Sequence, residues 1–264
     1  MKKLFLSFLC FLSLNAAELD LGLGIGAMFY PDYMGSKNDN ALFILYPYIH
    51  YQSEKLNIDR RGLKHHFFSH GNFTLELSAA GSLPVKSSGA REGMNDLDPA
   101  LELGPALIYT VYEDDDLSLQ LDFPFRAVLS TDFKGVDYRG YVYELRGEVE
   151  YTFYNDYLLQ FHTGFMWGDS KYHNHLYGVG INDITTSRTA YQAKAGYTAY
   201  KTSLGISKRF ENIWAGAFAR HYSLNESSIK NSPLTERNSA MYTGIFVAYI
   251  FDDGVTRSIK KWLE

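Results

Sequence analysis

Histidines are the residues of this chain best suited by type and spacing to do chemistry, in two groups: His65, His66 and His70, then His173 and His175. Two imidazoles two positions apart on a strand could share a metal ion, and a chain whose single cysteine, Cys10, lies in its N-terminal apolar run would have to use such ligands. The spacing supplies no fixed carboxylate partner, so the histidines read as loop or exposed-turn residues and no metal is assigned. The acidic run Glu113 to Asp116 could attract cations, but it reads as a solvated turn. Gly22, Gly24 and Ala27 spell the G-x-G-x-x-G/A fingerprint of dinucleotide sites. That chemistry needs a strand ending at the glycines and a helix beginning there, whereas here the strand pattern continues and Pro31 follows. Glycines that pack an interior or ease curvature explain them better. There is no G-x-S-x-G and no H-E-x-x-H, and Ser, His and Asp are too scattered to assemble a triad. The sequence therefore assigns no catalytic residue, metal or cofactor, and the chain reads as a non-enzyme.

The elements that must carry these residues repeat one pattern from Leu19 onward. An apolar or aromatic residue recurs at every second position for about ten residues, the period and length of a strand that crosses an outer membrane. Leu19, Leu21, Leu23, Ile25, Ala27 and Phe29 form one face, and Asp20, Gly22, Gly24 and Gly26 the other. Leu117 to Leu129 and Met241 to Phe251 read the same way. The fold class that follows is all-β, a closed antiparallel transmembrane β-barrel. The face opposite the apolar one carries small residues in Gly22, Gly24 and Gly26, and bulky polar ones in Gln120, Arg126, Glu144, Arg146, Glu148 and Glu150. Arg and Glu pairing across a narrow lumen would block it, which predicts little or no steady conductance.

The first residues say where such strands go. Met1-Lys2-Lys3, the apolar run Leu4 to Leu14 and the small residues Asn15-Ala16-Ala17 resemble a secretory signal peptide, residues 1–17. The run is too short to span a bilayer as a helix. Cys10, the single cysteine, lies inside it, so the mature chain is expected to lack disulfides. Aromatic residues make up 16% of the chain while the mean hydropathy is only −0.22, as alternating lipid-facing and lumen-facing positions require. A net charge of −5 argues against nucleic acid as a partner.

Connection lengths give a topology. The breaks at Tyr112–Asp116, Tyr154–Tyr157 and Glu211–Ile213 are short and polar and read as periplasmic turns. Those at Gly81–Pro99, Thr131–Arg139, Gly168–Arg188 and Ser223–Ser239 are longer and read as cell-surface loops. About ten strands fit, near residues 19–30, 41–52, 72–82, 99–112, 117–130, 140–153, 158–168, 191–209, 213–222 and 240–251. Lys55 to Phe68 is placed as a periplasmic excursion or an extension of the second strand; if it crosses, the count is twelve. Residues 18–251 then form one barrel domain, followed by a short periplasmic tail, 252–264.

Several stretches resemble the MipA/OmpV family of Gram-negative outer-membrane proteins, named for the MltA-interacting protein. The most specific are Gly22-Leu23-Gly24-Ile25-Gly26 and Pro31-Asp32-Tyr33-Met34-Gly35-Ser36. Pro47–Tyr51, Arg91–Met94 leading to Leu101–Gly104, Leu176–Val179 and Asn231–Leu234 support it in the same order. Family members tend to end on an aromatic residue closing the final strand, whereas here Phe251 is followed by the tail. The resemblance implies a scaffold at the cell outer membrane, set in outer-membrane lipid and joining a lytic transglycosylase to a murein synthase. It singles out Pro31, Tyr33, Gly35, Ser36, Arg91, Met94, Ser232 and Pro233 as a motif-loop set with a binding role. A small-solute channel or a surface adhesin stays open as an alternative, with an outer-membrane hydrolase behind both.

Overall fold

The computed structural model describes residues 18–52, 56–59 and 62–252. The expected signal peptide and nearly all of the tail lie outside them. The described residues form twelve strands: β1 Glu18–Pro31, β2 Asp39–Gln52, β3 Leu56–Asp59, β4 Gly62–His70, β5 Phe73–Ser82, β6 Ala100–Glu113, β7 Leu117–Thr131, β8 Val136–Phe153, β9 Tyr157–Gly168, β10 Gly196–Phe210, β11 Ile213–Ser223 and β12 Ser239–Ile250. Each is antiparallel to its neighbour in sequence, and β1 bonds both β2 and β12, so the hydrogen-bonded order returns on itself. That disposes of the unpaired edges that a sheet exposes.

Ten of the strands lie where the alternation puts them. The count of about ten is corrected at Lys55–Phe68, which carries β3 and most of β4, as in the alternative of twelve. This join is thin: β3 meets β2 only at Tyr51 and Gln52, and β4 meets β5 through His66 to His70. Broken alternation and a four-residue strand explain why the pattern was unreadable there. A second correction falls on the run from residue 191, since β10 starts at Gly196 and Tyr191 makes only an isolated bridge to Val179.

The facing of the strands follows the alternation. Ile25, Phe43 and Ile245 are 65%, 80% and 64% exposed on the outside, while Asp122, Glu144 and Ala248 on interleaved positions are 2%, 3% and 1% exposed. An outside this apolar is stable only against lipid. Aromatic rings gather on it in contact pairs, with Tyr143 stacked on Trp167 at 5.4 Å and Tyr151 on Phe153 at 5.7 Å. Such rings favour the two membrane–water boundaries.

Glycines on the inner face make room for what the lumen holds. A Cβ on Gly24 would lie 2.4 Å from the Tyr46 ring, and one on Gly26 2.3 Å from Phe246. These glycines are seats for two aromatic side chains inside a continuing strand, not a phosphate loop. Gly164 on β9 stands in register between Arg146 and Lys201. A Cβ there would sit 2.3 Å from the Leu145 carbonyl oxygen and 2.6 Å from the Arg146 Cα, and backbone cannot step aside. Gly164→Ala is expected to cost about 1–3 kcal/mol through overpacking, read as a lower urea midpoint of the lipid-refolded protein.

Candidate functional site

Inside the ring two unlike walls face each other. The charged wall is built by strands β6 to β10. Arg126 donates from Nε to Glu102 at 3.0 Å and from Nη2 to Glu144, which also accepts from Lys201. Arg146 holds Asp122 through Nε at 2.9 Å and Nη2 at 2.8 Å, Glu148 stands 3.2 Å from His162 Nδ1, and Gln160 donates to Glu150 at 2.7 Å. Pairing was expected across the lumen. It runs instead along one wall, because neighbouring strands place opposite charges within reach of one another.

That far wall comes from β1, β2, β11 and β12 and is mainly aromatic or small, with Arg220 of β11 as its charged residue beside the cavity. Tyr48 and Trp214 pack at 5.9 Å with Ala248 and Ile250, and Tyr46 meets Phe246 edge to face at 5.8 Å. Between the walls lies a cavity of about 700 Å³, touched by Tyr46, Trp214 and Phe246 on one side and by Arg146, His162 and Lys201 on the other.

Above the cavity the long connections fold inward and pack. A helix absent from the sequence reading, α1 (Ser170–Tyr177), starts at Asp169, whose side chain accepts from the Tyr172 amide at 2.7 Å. Its Tyr177 is wholly buried and donates to the Met34 carbonyl at 3.0 Å. Tyr33 donates to the Leu234 carbonyl at 2.8 Å, and Ser232 to the Tyr177 carbonyl at 2.7 Å. Arg91 reaches Leu176 at 2.9 Å and Arg188 reaches Ala90 at 2.7 Å. With Met94, Leu224, Ile229 and Val179 in the same apolar cluster, these loops make a plug.

The structure brings the motif-loop residues together in that plug. Pro31, Tyr33, Gly35, Ser36, Arg91, Met94 and Ser232 are buried and Pro233 half-buried. Gly35, at φ +92°, turns its carbonyl to accept from the amides of Glu236 at 2.8 Å and Arg237 at 2.9 Å. These contacts lock one loop to another.

Neither histidine group forms a cluster of ligands among the described residues. His173 and His175 sit on α1, not on a strand, so two positions turn them to different sides. Both ring nitrogens of His173 are engaged, Nδ1 with the Lys194 carbonyl at 2.6 Å and Nε2 with Thr198 at 2.8 Å. His70 is exposed on β4, and the side chains of His65 and His66 lie outside the described residues. The acidic run is a turn held by Asp114, which accepts from the Asp116 and Leu117 amides at 2.9 and 2.8 Å.

The plug carries a pH dependence. Burial, then the positive charges of Arg139 and Arg91, hold the His175 imidazole down to about 4 against the pull of Asp137, and burial lowers His173 as well. A released histidine titrates near 6.5. Above that pH neither form is protonated and there is no contribution. Between about 6.5 and 4 only the released plug takes up the proton, so the packed plug loses stability as pH falls through that window. Amide exchange of residues 170–177, corrected for intrinsic rates, should quicken from pH 7 to pH 4.5, and His175→Asn should weaken that response to the part His173 supplies.

The alternation in β7 and β8 pointed to Arg126, Glu144, Arg146 and Glu148, but Lys201, His162 and Trp214 were missed. Lys201 and Ser203 alternate with Thr202 and Leu204, a signal that could have found the first. What could not be read is that α1 and three other loops meet over the lumen, because those contacts join residues as far apart as 33 and 234.

A family profile described as MltA-interacting protein MipA matches residues 23–251. Outer membrane protein Omp26La of Vibrio anguillarum is 26% identical over 219 residues, 76% of each chain. Among solved structures, an outer membrane channel from Pseudomonas putida F1 aligns with a TM-score of 0.49 at 10% identity, covering 88% of this chain and 95% of that one. The NanC porin aligns at 0.39 and 9% identity, covering 88% and 99%.

Proposed function

We propose a function from one premise: the chain belongs to the MipA family and is a protein of the outer membrane. On this reading it is a closed, twelve-stranded transmembrane barrel that works as a non-enzymatic scaffold. Its lumen is sealed by the loop plug, and its periplasmic rim holds a lytic transglycosylase, with a murein synthase as second partner. Residues 1–17 are its signal peptide and 252–264 its periplasmic tail, and the motif-loop residues serve to lock the plug. The family description supports the first partner, and the plug is the observation that carries the choice of scaffold over pore. A barrel whose outer mouth is filled by a wholly buried Tyr177 and a hydrogen-bonded seam is built to stay shut.

The test is retention of a lytic transglycosylase from envelope extracts by the full chain in detergent. Retention weakened by charge reversal at Asp115, Asp116 and Asp156, in the short turns, is the expected result. No retention, or hydrolytic turnover abolished by one Ser or His substitution, would reverse the reading. The small-solute channel keeps one observation in its favour, the cavity of about 700 Å³ beneath the plug.

A further inference from the structure

The cavity has a chemistry that a mere scaffold does not use. Trp214, Phe218 and Phe246 line it on one side, with Phe218 stacked parallel to Phe246 at 6.1 Å. Arg146, Glu148, Gln160, His162, Lys201 and Ser203 line the other. An apolar ligand would strip water from this polar wall and lose its hydrogen bonds. A strongly charged one would find the counter-charges already engaged: Arg146 on Asp122 at 2.8 Å, Lys201 on Glu144, and His162 beside Glu148 at 3.2 Å. Arg220, over the Phe218 ring at 5.8 Å, adds one positive charge, and Glu148 in the same lining stands against it.

What remains on offer is hydrogen bonding of both polarities. Among the described residues Arg146 uses Nε and Nη2 on Asp122, which leaves its Nη1 donors, and Gln160 keeps its carbonyl as an acceptor while its amide binds Glu150. Opposite them are flat ring faces that suit C–H surfaces. A molecule with hydroxyls around its edge and an apolar face is a sugar ring. We propose that the cavity beneath the plug binds a short neutral oligosaccharide, stacked on the Trp214–Phe218–Phe246 wall and hydrogen-bonded by the Arg146–Gln160–His162 wall. The volume is within the range that encloses a ligand of that size. This site is independent of the transglycosylase interaction, so pull-down and ligand binding can succeed or fail separately.

The experiment is titration calorimetry of the full chain in dimethyl-dodecylamine oxide, a detergent without a sugar headgroup. Maltotriose and triacetylchitotriose are the neutral probes, and decanoate is the anionic amphiphile. Binding of either trisaccharide, weakened tenfold or more by both Trp214→Leu and Phe218→Leu and unchanged by Phe165→Leu on the lipid face, is expected. Preference for maltotriose would identify a free glucan as the source, and preference for the acetylated probe an N-acetylated glycan. Because Trp214 is buried, Phe218→Leu and Gln160→Ala, each shown to fold by its strand-dominated circular dichroism, keep the test open if Trp214→Leu does not fold. Failure of both trisaccharides to bind, decanoate binding in their place, or affinity indifferent to Phe218→Leu and Gln160→Ala would overturn the proposal.

Discussion

Planar bilayers holding the intact protein at neutral pH should pass no steady single-channel current, whereas a variant with residues 169–195 replaced by a four-residue turn should conduct. The replacement is geometrically mild. Gly168 and Gly196 face each other as a register pair, so β9 and β10 keep their ladder when joined by a hairpin turn. It removes α1 whole, and with it the Tyr177 hydroxyl on Met34, the carbonyl that accepts from Ser232 and the Leu176 carbonyl that holds Arg91. Each of these hydrogen bonds contributes about 1 kcal/mol net, but their loss is concerted, because buried partners are left unpaired. The remaining loops would then have too little apolar surface to hold each other over the mouth. Reproducible current steps from the intact protein would favour the channel over the scaffold, and a silent variant would show that the charged wall, not the plug, blocks the lumen.

How much of this was legible in the sequence depends on the range of the contacts concerned. Strand faces were readable because a period of two is local: Leu121, Phe123 and Phe125 declare the outside of β7 whatever lies beside them. Turns such as Glu113–Asp116 were readable for the same reason. Lys55–Phe68 was not, since Arg60-Arg61-Gly62 breaks the alternation and a strand as short as β3 carries no period. The interior was half readable. Alternation put Arg126, Glu144, Arg146 and Glu148 inside, yet which charge meets which depends on register between strands. Lys201 reaches Glu144 across β9 on a diagonal, since its register partner is Gly164 while that of Glu144 is Met166. The plug was least legible, for α1 is eight residues long and its partners come from three other loops. The motif residues marked its seam without saying what the seam does.

Glu144→Leu should be the most damaging single substitution in the barrel wall, costing about 3–5 kcal/mol in the urea unfolding of the lipid-refolded protein. Glu144 is 3% exposed and accepts from both Arg126 and Lys201, so its loss strands positive charge away from water. The two cations are not left equally. Arg126 keeps Glu102 at 3.0 Å, and Lys201 keeps no other carboxylate partner among the described residues. The cost of Glu144→Leu should therefore be mostly the cost of an unpaired buried Lys201. A second substitution, Lys201→Met, removes that charge while keeping an unbranched side chain of similar length. The double variant Glu144→Leu/Lys201→Met should recover more than half of the lost stability, since replacing a buried ion pair by apolar residues is often close to neutral. Glu144→Gln, which keeps the shape and one acceptor oxygen, should fall between wild type and Glu144→Leu. Costs of the two single substitutions that simply add in the double variant would mean that Lys201 and Glu144 do not act as a pair. A Glu144→Leu protein as stable as wild type would mean that water reaches this wall freely and that the lumen is wider than its side chains imply.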